Sequence, residues 1–329
     1  MTSPDVPVDD LDQRIIAALQ IDGRASWRHI ARVLGEPERT VARRGLRLLE
    51  NQLVTVAALV PSGDCVIARL RCVPDATRQV ALATARRKDT IFTYVVTGSS
   101  DCVAELQCPP GRLAELVLDD LPALPGLTAQ QVYPVLRYFR TVHEWHPDIL
   151  DPQQVAELRR FPTPDDSASR PDMELDPEER AIVAALAEDG RHTHEELAAL
   201  AGVSEATARR RVEALSQAGV VSIRASVEPA LLGLPVEALL WIRTRPDALE
   251  RVGTLVVESP LVRYAAVVTG EYQLLVHVVQ PSKDALLDYL AHASWVPHVE
   301  AVESQFVVEA LKRSATPTPR LRRLLSEPV

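Results

Sequence analysis

The chain has 329 residues, 47% hydrophobic and 25% charged, with a formal net charge of −9; that length is more than one core usually serves, so two or more soluble domains are expected. The acidic balance excludes a wholly basic nucleic-acid binder but allows a basic face on an acidic body. No apolar run reaches the roughly 18 residues that cross a bilayer, and the opening MTSPDVPVDDLD lacks the basic and apolar regions of a signal peptide, so a cytoplasmic protein with no membrane partner is expected.

Residues 8–60 read as a helix-turn-helix domain whose last helix carries Arg39, Arg43, Arg44 and Arg47 outward. Pro37 stands at its cap, and Gly45 sits mid-helix, a weakness of about 1 kcal/mol against alanine. Residues 61–140 read as βαββαβ. The predicted strands are Asp64–Cys72, Thr90–Val96, Asp101–Gln107 and Thr128–Phe139; the helices are Asp75–Arg87 and Pro109–Leu121. Residues 141–174 form a linker with a short helix from Pro152 to Arg160, then a polar, proline-rich stretch from Pro162 to Asp172.

Residues 175–228 repeat the helical pattern with clearer signals. Asp176 caps a helix that has Pro177 at its first position, and Gly190 ends it. Thr193 caps the second helix, with Glu196 completing a capping box. Gly202 makes the turn, and Ser204 caps a third helix from Glu205 to Gln217. Residues 229–313 repeat βαββαβ, with strands Val236–Thr244, Leu261–Val268, Gln273–Val279 and Glu300–Glu309. The tail, residues 314–329, is basic and proline-containing, and is expected to be mobile or loosely docked.

The chain is therefore written twice. Asp22-Gly23-Arg24 matches Asp189-Gly190-Arg191, and the same ungapped offset maps Thr40 onto Thr207, Arg43 onto Arg210 and Arg44 onto Arg211. A slightly larger offset maps Val95-Val-Thr-Gly98 onto Val267-Val-Thr-Gly270 and Pro109 onto Pro281, which places a short insertion near Leu231–Pro235. The fold class is α+β: two winged-helix-like helix-turn-helix domains and two ferredoxin-like βαββαβ domains in tandem. Leu261–Val268 and Leu274–Val279 are nearly apolar throughout. The sheet face away from the helices must then be covered by a partner sheet, from the other repeat or another chain.

A capped helix with outward arginines suits the major groove of double-stranded DNA, where its N-terminal side chains reach base edges and its arginines reach phosphates and guanines. The candidates are Glu38, Arg39, Thr40, Arg43, Arg44 and Arg47 in the first repeat, and Ser204, Glu205, Thr207, Arg209, Arg210 and Arg211 in the second. Between Arg24 and Val54 arginines outnumber glutamates, whereas from Arg191 to Val221 they balance, so the two heads are expected to differ in DNA preference. Cys65, Cys72, Cys102 and Cys108 form no CxxC, and His143/His146 and His192/His194 lack a nearby ligand cluster, so neither a metal nor a cofactor is expected.

A helix-turn-helix joined to βαββαβ, with Asp-Gly-Arg, the arginine-rich third helix and the Val-Thr-Gly turn, resembles the Lrp/AsnC transcription regulators, here as two fused copies spanning essentially the whole chain. The resemblance implies an intrachain pseudo-dimer, further homo-oligomerisation, and an amino acid or related small molecule bound between effector domains. It implies effector contacts at Thr97, Gly98, Ser99, Ser100, Asp101 and Gly126, and at Thr269, Gly270, Glu271, Tyr272 and Gln273. Glycine lets the backbone approach a ligand closely, free amides bind a carboxylate, and an acidic side chain binds an ammonium. Asp101 keeps the acid that Gln273 lacks, and Pro125-Gly126 is replaced by Pro297-His298; the two loops are chemically unequal. Two other readings stay open. One is a heme-precursor (siroheme-type) decarboxylase of the same architecture, which needs histidines and arginines gathered in the effector domains. The other is a ligand sensor that no longer binds DNA.

Overall fold

The computed structural model describes residues 8–60, 63–162 and 175–326. The first repeat runs α1 (Asp10–Ile21), α2 (Trp27–Leu34), α3 (Glu38–Glu50), β1 (Val54–Leu59), β2 (Cys65–Cys72), α4 (Thr77–Arg86), β3 (Thr90–Val96), β4 (Cys102–Gln107), α5 (Leu113–Glu115) and β5 (Leu127–Arg140). After α6 (Pro152–Leu158), the second repeat runs α7 (Pro177–Glu188), α8 (His194–Ala201), α9 (Glu205–Gln217), β6 (Ser222–Val227), β7 (Val236–Arg243), α10 (Leu249–Val257), β8 (Val262–Val268), β9 (Leu274–Gln280), α11 (Lys283–His292) and β10 (Ala301–Arg313). A two-residue strand, β11 (Thr316–Pro317), and α12 (Pro319–Ser326) follow. The predicted linker lies, from residue 163 on, outside the described residues.

The chain folds into two compact units, each built from both repeats: residues 1–61 with 146–232, and residues 62–145 with 233–329. In the helical unit, the caps fall where the side-chain chemistry puts them. Asp176, Thr193 and Ser204 accept from the backbone N–H three residues on. Gly35 and Gly202 end α2 and α8 in the left-handed region at φ +69° and +68°, where a Cβ is penalised. β1 pairs antiparallel with β6, from Val54 opposite Val227 to Leu59 opposite Ser222. One strand from each head thus makes a two-stranded wing shared by both. The linker helix α6 docks on the first head, with Leu158 1% exposed and Gln154 Nε2 donating to Val33 O at 3.2 Å.

In the β unit, each repeat has the ferredoxin-like strand order, β3-β4-β2-β5 and β8-β9-β7-β10. The long last strands join the two sheets: β5 pairs with β8, and β10 pairs with both β7 and β3, so the strands close into a ring. Two cores lie under the helices, one per repeat. A third, containing Ile67, Phe92, Tyr94, Leu239, Trp241 and Tyr264, fills the space between the sheets. The second sheet that the apolar strands demanded is the other repeat of the same chain.

Three expectations need correcting. The helix expected over Pro109–Leu121 is only the short α5, followed by a wide π turn over Leu116–Asp120. Its i→i+5 bond from Leu121 N to Leu116 O, at 3.0 Å, faces both leucines into the core. The last strand runs on to Arg313 rather than stopping at Glu309. The tail expected to be loose is docked: β11 pairs with β10, Thr318 Oγ1 donates to Ala310 O at 2.9 Å, and Leu321 enters the first repeat's core at 1% exposure. The inserted residues near Leu231 form one 3-10 turn, Pro229–Leu232.

Candidate nucleic-acid interface and effector loops

The third helices present two kinds of arginine. Arg44 and Arg211 occupy mirrored positions, and both turn back onto the first helix of their own head. Arg44 Nη1 lies 2.6 Å from Asp9 and 3.1 Å from Asp12, and Arg47 Nη2 lies 2.5 Å from Asp12, a carboxylate only 1% exposed. Arg211 bonds Asp176 and lies 3.4 Å from Glu179. Arg211's hydrogen bond pushes the Asp176 carboxyl down to about 2, and that of Arg44 lowers Asp9 in the same way. These three arginines therefore tie the third helix to the acidic cap of the first.

Arg39 and Arg43 on α3, and Arg209 and Arg210 on α9, stay exposed. Arg209 makes a surface pair with Glu205 at 3.1 Å. Glu38 and Glu205 open the two helices on the exposed side, while Thr40 and Thr207 are half-buried. The Ser204 hydroxyl accepts from Thr207 N at 3.2 Å and lies 2.9 Å from the Thr207 hydroxyl. Pro37 gives α3 no such cap.

The Asp-Gly-Arg motif builds the seam between the heads. Gly23 N donates to Ile223 O at 2.9 Å and Gly190 N to Val56 O at 2.8 Å, tying each turn to the other repeat's strand. A Cβ on Gly23 would stand 2.9 Å from Ile223 O, and one on Gly190 2.9 Å from Val56 Cγ1. Only glycine fits that approach. Arg24 Nη1 donates to Gly190 O and His192 O at 2.7 and 2.8 Å, and Arg191 Nη1 donates to Gly23 O at 2.7 Å.

The two Val-Thr-Gly loops form one cluster in the β unit. Gly98 and Gly270 have φ of +96° and +103°. Thr97 exchanges hydrogen bonds with the Phe306 backbone at 3.0 and 2.9 Å, and Thr269 N donates to Pro134 O at 3.2 Å. Ser99 bonds Glu303, which also lies 2.6 Å from Arg69 and hydrogen-bonds Tyr272. One carboxylate on β10 thus meets side chains from both loops. Arg69 lies 4.5 Å over the Trp241 ring, and Trp241 Nε1 donates to Gln305, whose amide donates to Ser100 Oγ at 3.1 Å. Glu271 faces Arg243 at 3.4 Å.

Asp101 and Gln273 differ in charge but do the same local work. Asp101 Oδ2 accepts from Cys72 N at 2.8 Å, and Gln273 Oε1 accepts from the mirrored amide, Thr244 N, at 3.0 Å. Gly126 lies away from this cluster, in the turn against α4's start: its carbonyl accepts from Val73 N at 2.9 Å, and a Cβ there would meet Ala76 Cβ at 2.3 Å.

Sequence reasoning missed two charged groups between the sheets. Glu237 bonds His277 at 3.0 Å and Arg313 at 2.7 Å, with Arg263 at 3.6 Å. Glu105 accepts from the hydroxyls of Tyr138 and Tyr264 at 2.9 and 2.8 Å. A signal was present: Arg263 and His277 are single ionisable residues inside strands buried on both faces, and such groups require partners.

The helices match the model of the AsnC-type helix-turn-helix domain at residues 8–49 and 175–216, and residues 237–317 match that of the Lrp/AsnC ligand binding domain. The chain is 33% identical over 131 residues to an uncharacterized HTH-type transcriptional regulator of Pyrococcus furiosus, covering 38% of this chain and 88% of that protein. It is 30% identical over 145 residues to the leucine-responsive regulatory protein of Rhizobium meliloti, covering 43% and 93%. The siroheme decarboxylase NirDL shares the fold over 97% of this chain and 99% of its own, with a TM-score of 0.60 at 16% identity.

Proposed function

The chain belongs to the Lrp/AsnC family and is a DNA-binding transcriptional regulator with a ligand-binding domain; on that premise we propose that one polypeptide supplies both heads of its own pseudo-dimer and reads an operator with unlike half-sites. The observation that carries this reading is the reciprocal seam, which uses Asp-Gly-Arg from both repeats. Arg39 and Arg43 meet one half-site, and Arg209 and Arg210 the other. Glu38, Thr40, Ser204, Glu205 and Thr207 sit at the helix starts nearest the bases, while Arg44, Arg47 and Arg211 hold the helices in place.

The effector is an amino acid or a related small molecule at the Val-Thr-Gly loops, and the protein is cytoplasmic and not an enzyme. The exposed outer strand residues Phe306 and Val308 support assembly into a larger homo-oligomer. Footprinting on the promoter DNA adjoining its own gene tests the reading. Two unlike half-sites are expected; equal protection of a perfect palindrome would overturn it.

The shared fold with the decarboxylase favours a second reading, that of a tetrapyrrole enzyme. Against it, Arg263 and Arg313 are 5% and 3% exposed and direct their charge at Glu237, and the buried imidazole of His277 hydrogen-bonds the same carboxylate, which leaves all three committed to the core. Tetrapyrrole absorbance in the purified protein, with release of carbon dioxide on adding siroheme, would favour the enzyme.

A further inference from the structure

The two heads differ at one correlated pair of positions. In the first head, Trp27 opens α2 and packs on Gly45, where a Cβ would stand 2.3 Å from its ring. Arg191 from the other repeat lies 4.5 Å over the same indole. In the second head those positions hold His194 and Val212. The Val212 side chain is 3% exposed, so it occupies the room Gly45 leaves for an indole. Arg24, the mirror of Arg191, stands beside the smaller imidazole instead. A cleft of about 350 Å³ opens there, lined by Arg24, Arg191, Thr193, His194, Glu195 and Glu205. That volume is at the lower end of small-molecule sites, about 300–1,000 Å³.

The lining charges are balanced and unlike. Burial and the neighbouring Arg24 and Arg209 lower the His194 pKa, keeping the ring neutral. Arg24 and Arg191 are half-buried guanidiniums; burial and then the neighbouring charge of Arg24 lower the Arg191 pKa, and such a pair favours a carboxylate between them. Glu195, with Glu205 shared with Arg209 at 3.1 Å, then opposes a second negative group and favours a cation. A phosphate, free or in DNA, would face both carboxylates. We propose that this cleft binds a small zwitterion, its carboxylate on Arg24 and Arg191 and its ammonium on Glu195 and Glu205. Such a ligand bridges the repeats and touches the first residue of α9, and so couples its own concentration to the pose of the second DNA-reading helix.

The binding step does not rest on DNA recognition, so it is tested without DNA. The full chain is titrated with 4-aminobutyrate, acetate, ethylammonium and inorganic phosphate, followed by saturation-transfer NMR and calorimetry. Binding of 4-aminobutyrate at least about tenfold tighter than each of the others is expected. The double variant His194→Trp/Val212→Gly, which copies the first head, should abolish it while leaving the melting temperature near the parent's. Glu195→Gln should weaken 4-aminobutyrate and leave acetate unchanged, which keeps the test informative if the double variant misfolds. Equal binding of acetate or phosphate, no detectable 4-aminobutyrate binding, or binding that persists in a folded double variant would each overturn the assignment.

Discussion

Arg24 and Arg191 clasp each other's turns: each places Nη1 2.7 Å from a carbonyl oxygen of the opposite Asp-Gly-Arg motif, at Gly190 and Gly23. Hydrogen bonds from a charged donor are worth about 1.5–3 kcal/mol each. Arg24→Ala and Arg191→Ala should therefore each destabilise the helical unit by roughly 2 kcal/mol. The pair should cost more than the sum of the single losses, because the two guanidiniums repel each other and either single removal already relieves that repulsion in full. A denaturant double-mutant cycle measures this. A strictly additive result would mean that the repulsion is screened away.

The split between exposed and tethered arginines predicts two distinct phenotypes. Arg43→Ala and Arg210→Ala should weaken DNA binding and reduce the slope of log affinity against log salt by about 1 for each phosphate no longer neutralised. Their melting temperatures should not move. Arg44→Ala and Arg211→Ala break the tie to the acidic cap of the first helix and should lower the melting temperature, with DNA affinity falling only through that loss. The larger drop is expected for Arg44→Ala, about 1 kcal/mol, because it also strips a partner from the buried Asp12. Fluorescence anisotropy across a salt series, beside thermal melts, separates the classes.

Gly45 reverses a sequence-based expectation. Helix propensity alone predicts that Gly45→Ala stabilises by about 1 kcal/mol. The added Cβ would stand 2.3–2.4 Å from the Trp27 ring, and Arg191 sits over that ring. The substitution should instead destabilise by about 1–3 kcal/mol. Gly45→Ala combined with Trp27→His should recover most of the loss.

The caps at Asp176, Thr193 and Ser204, the βαββαβ order and the need for a second sheet all follow from short-range chemistry or from a strand's own pattern, and were legible in the linear chain. Arginines at one helical spacing look alike in sequence. Whether Arg43 meets solvent while Arg44 meets Asp9 and Asp12 depends on how the third helix lies across the first. The roles of Asp-Gly-Arg and Trp27 were hidden for the same reason, since each is defined by a contact with the other repeat. The docked tail was missed because Leu321 and Leu324 stand among arginines in a short basic, proline-flanked segment, and their packing depends on an opening in a core distant in sequence.

His277 predicts a pH dependence. Burial pushes its pKa from 6.5 to about 4, outweighing the nearby Glu237 carboxylate. The folded chain therefore binds a proton less readily than the unfolded chain, and stability falls as pH drops from 6.5 towards 4. The loss is on the order of 3 kcal/mol if fully expressed. Glu237 is lowered too: Arg313, His277 and Arg263 outweigh its burial. Its contribution is present above pH 4.5 and is lost only on further acidification. Denaturation midpoints between about pH 7.5 and 5 should decline for the parent, and His277→Gln should flatten the decline.

The substitution Asp101→Asn separates a role in the turn from a role in effector binding. Its Oδ2 accepts from Cys72 N at 2.8 Å, the bond that the uncharged Gln273 makes with Thr244 N in the other repeat. A neutral amide oxygen therefore suffices for the fold, and Asp101→Asn should cost under about 1 kcal/mol. If the carboxylate also holds an effector's ammonium, the same variant gives up a charge-assisted hydrogen bond and its response to an amino acid should weaken by about tenfold or more. The response is read as the shift in DNA affinity on titrating a panel of the standard amino acids. Gln273→Glu supplies the converse, a carboxylate in the second loop that keeps the backbone bond. An Asp101→Asn protein that keeps its stability and its full effector response would confine Asp101 to the turn and move the search to Ser99, Tyr272 and Glu303.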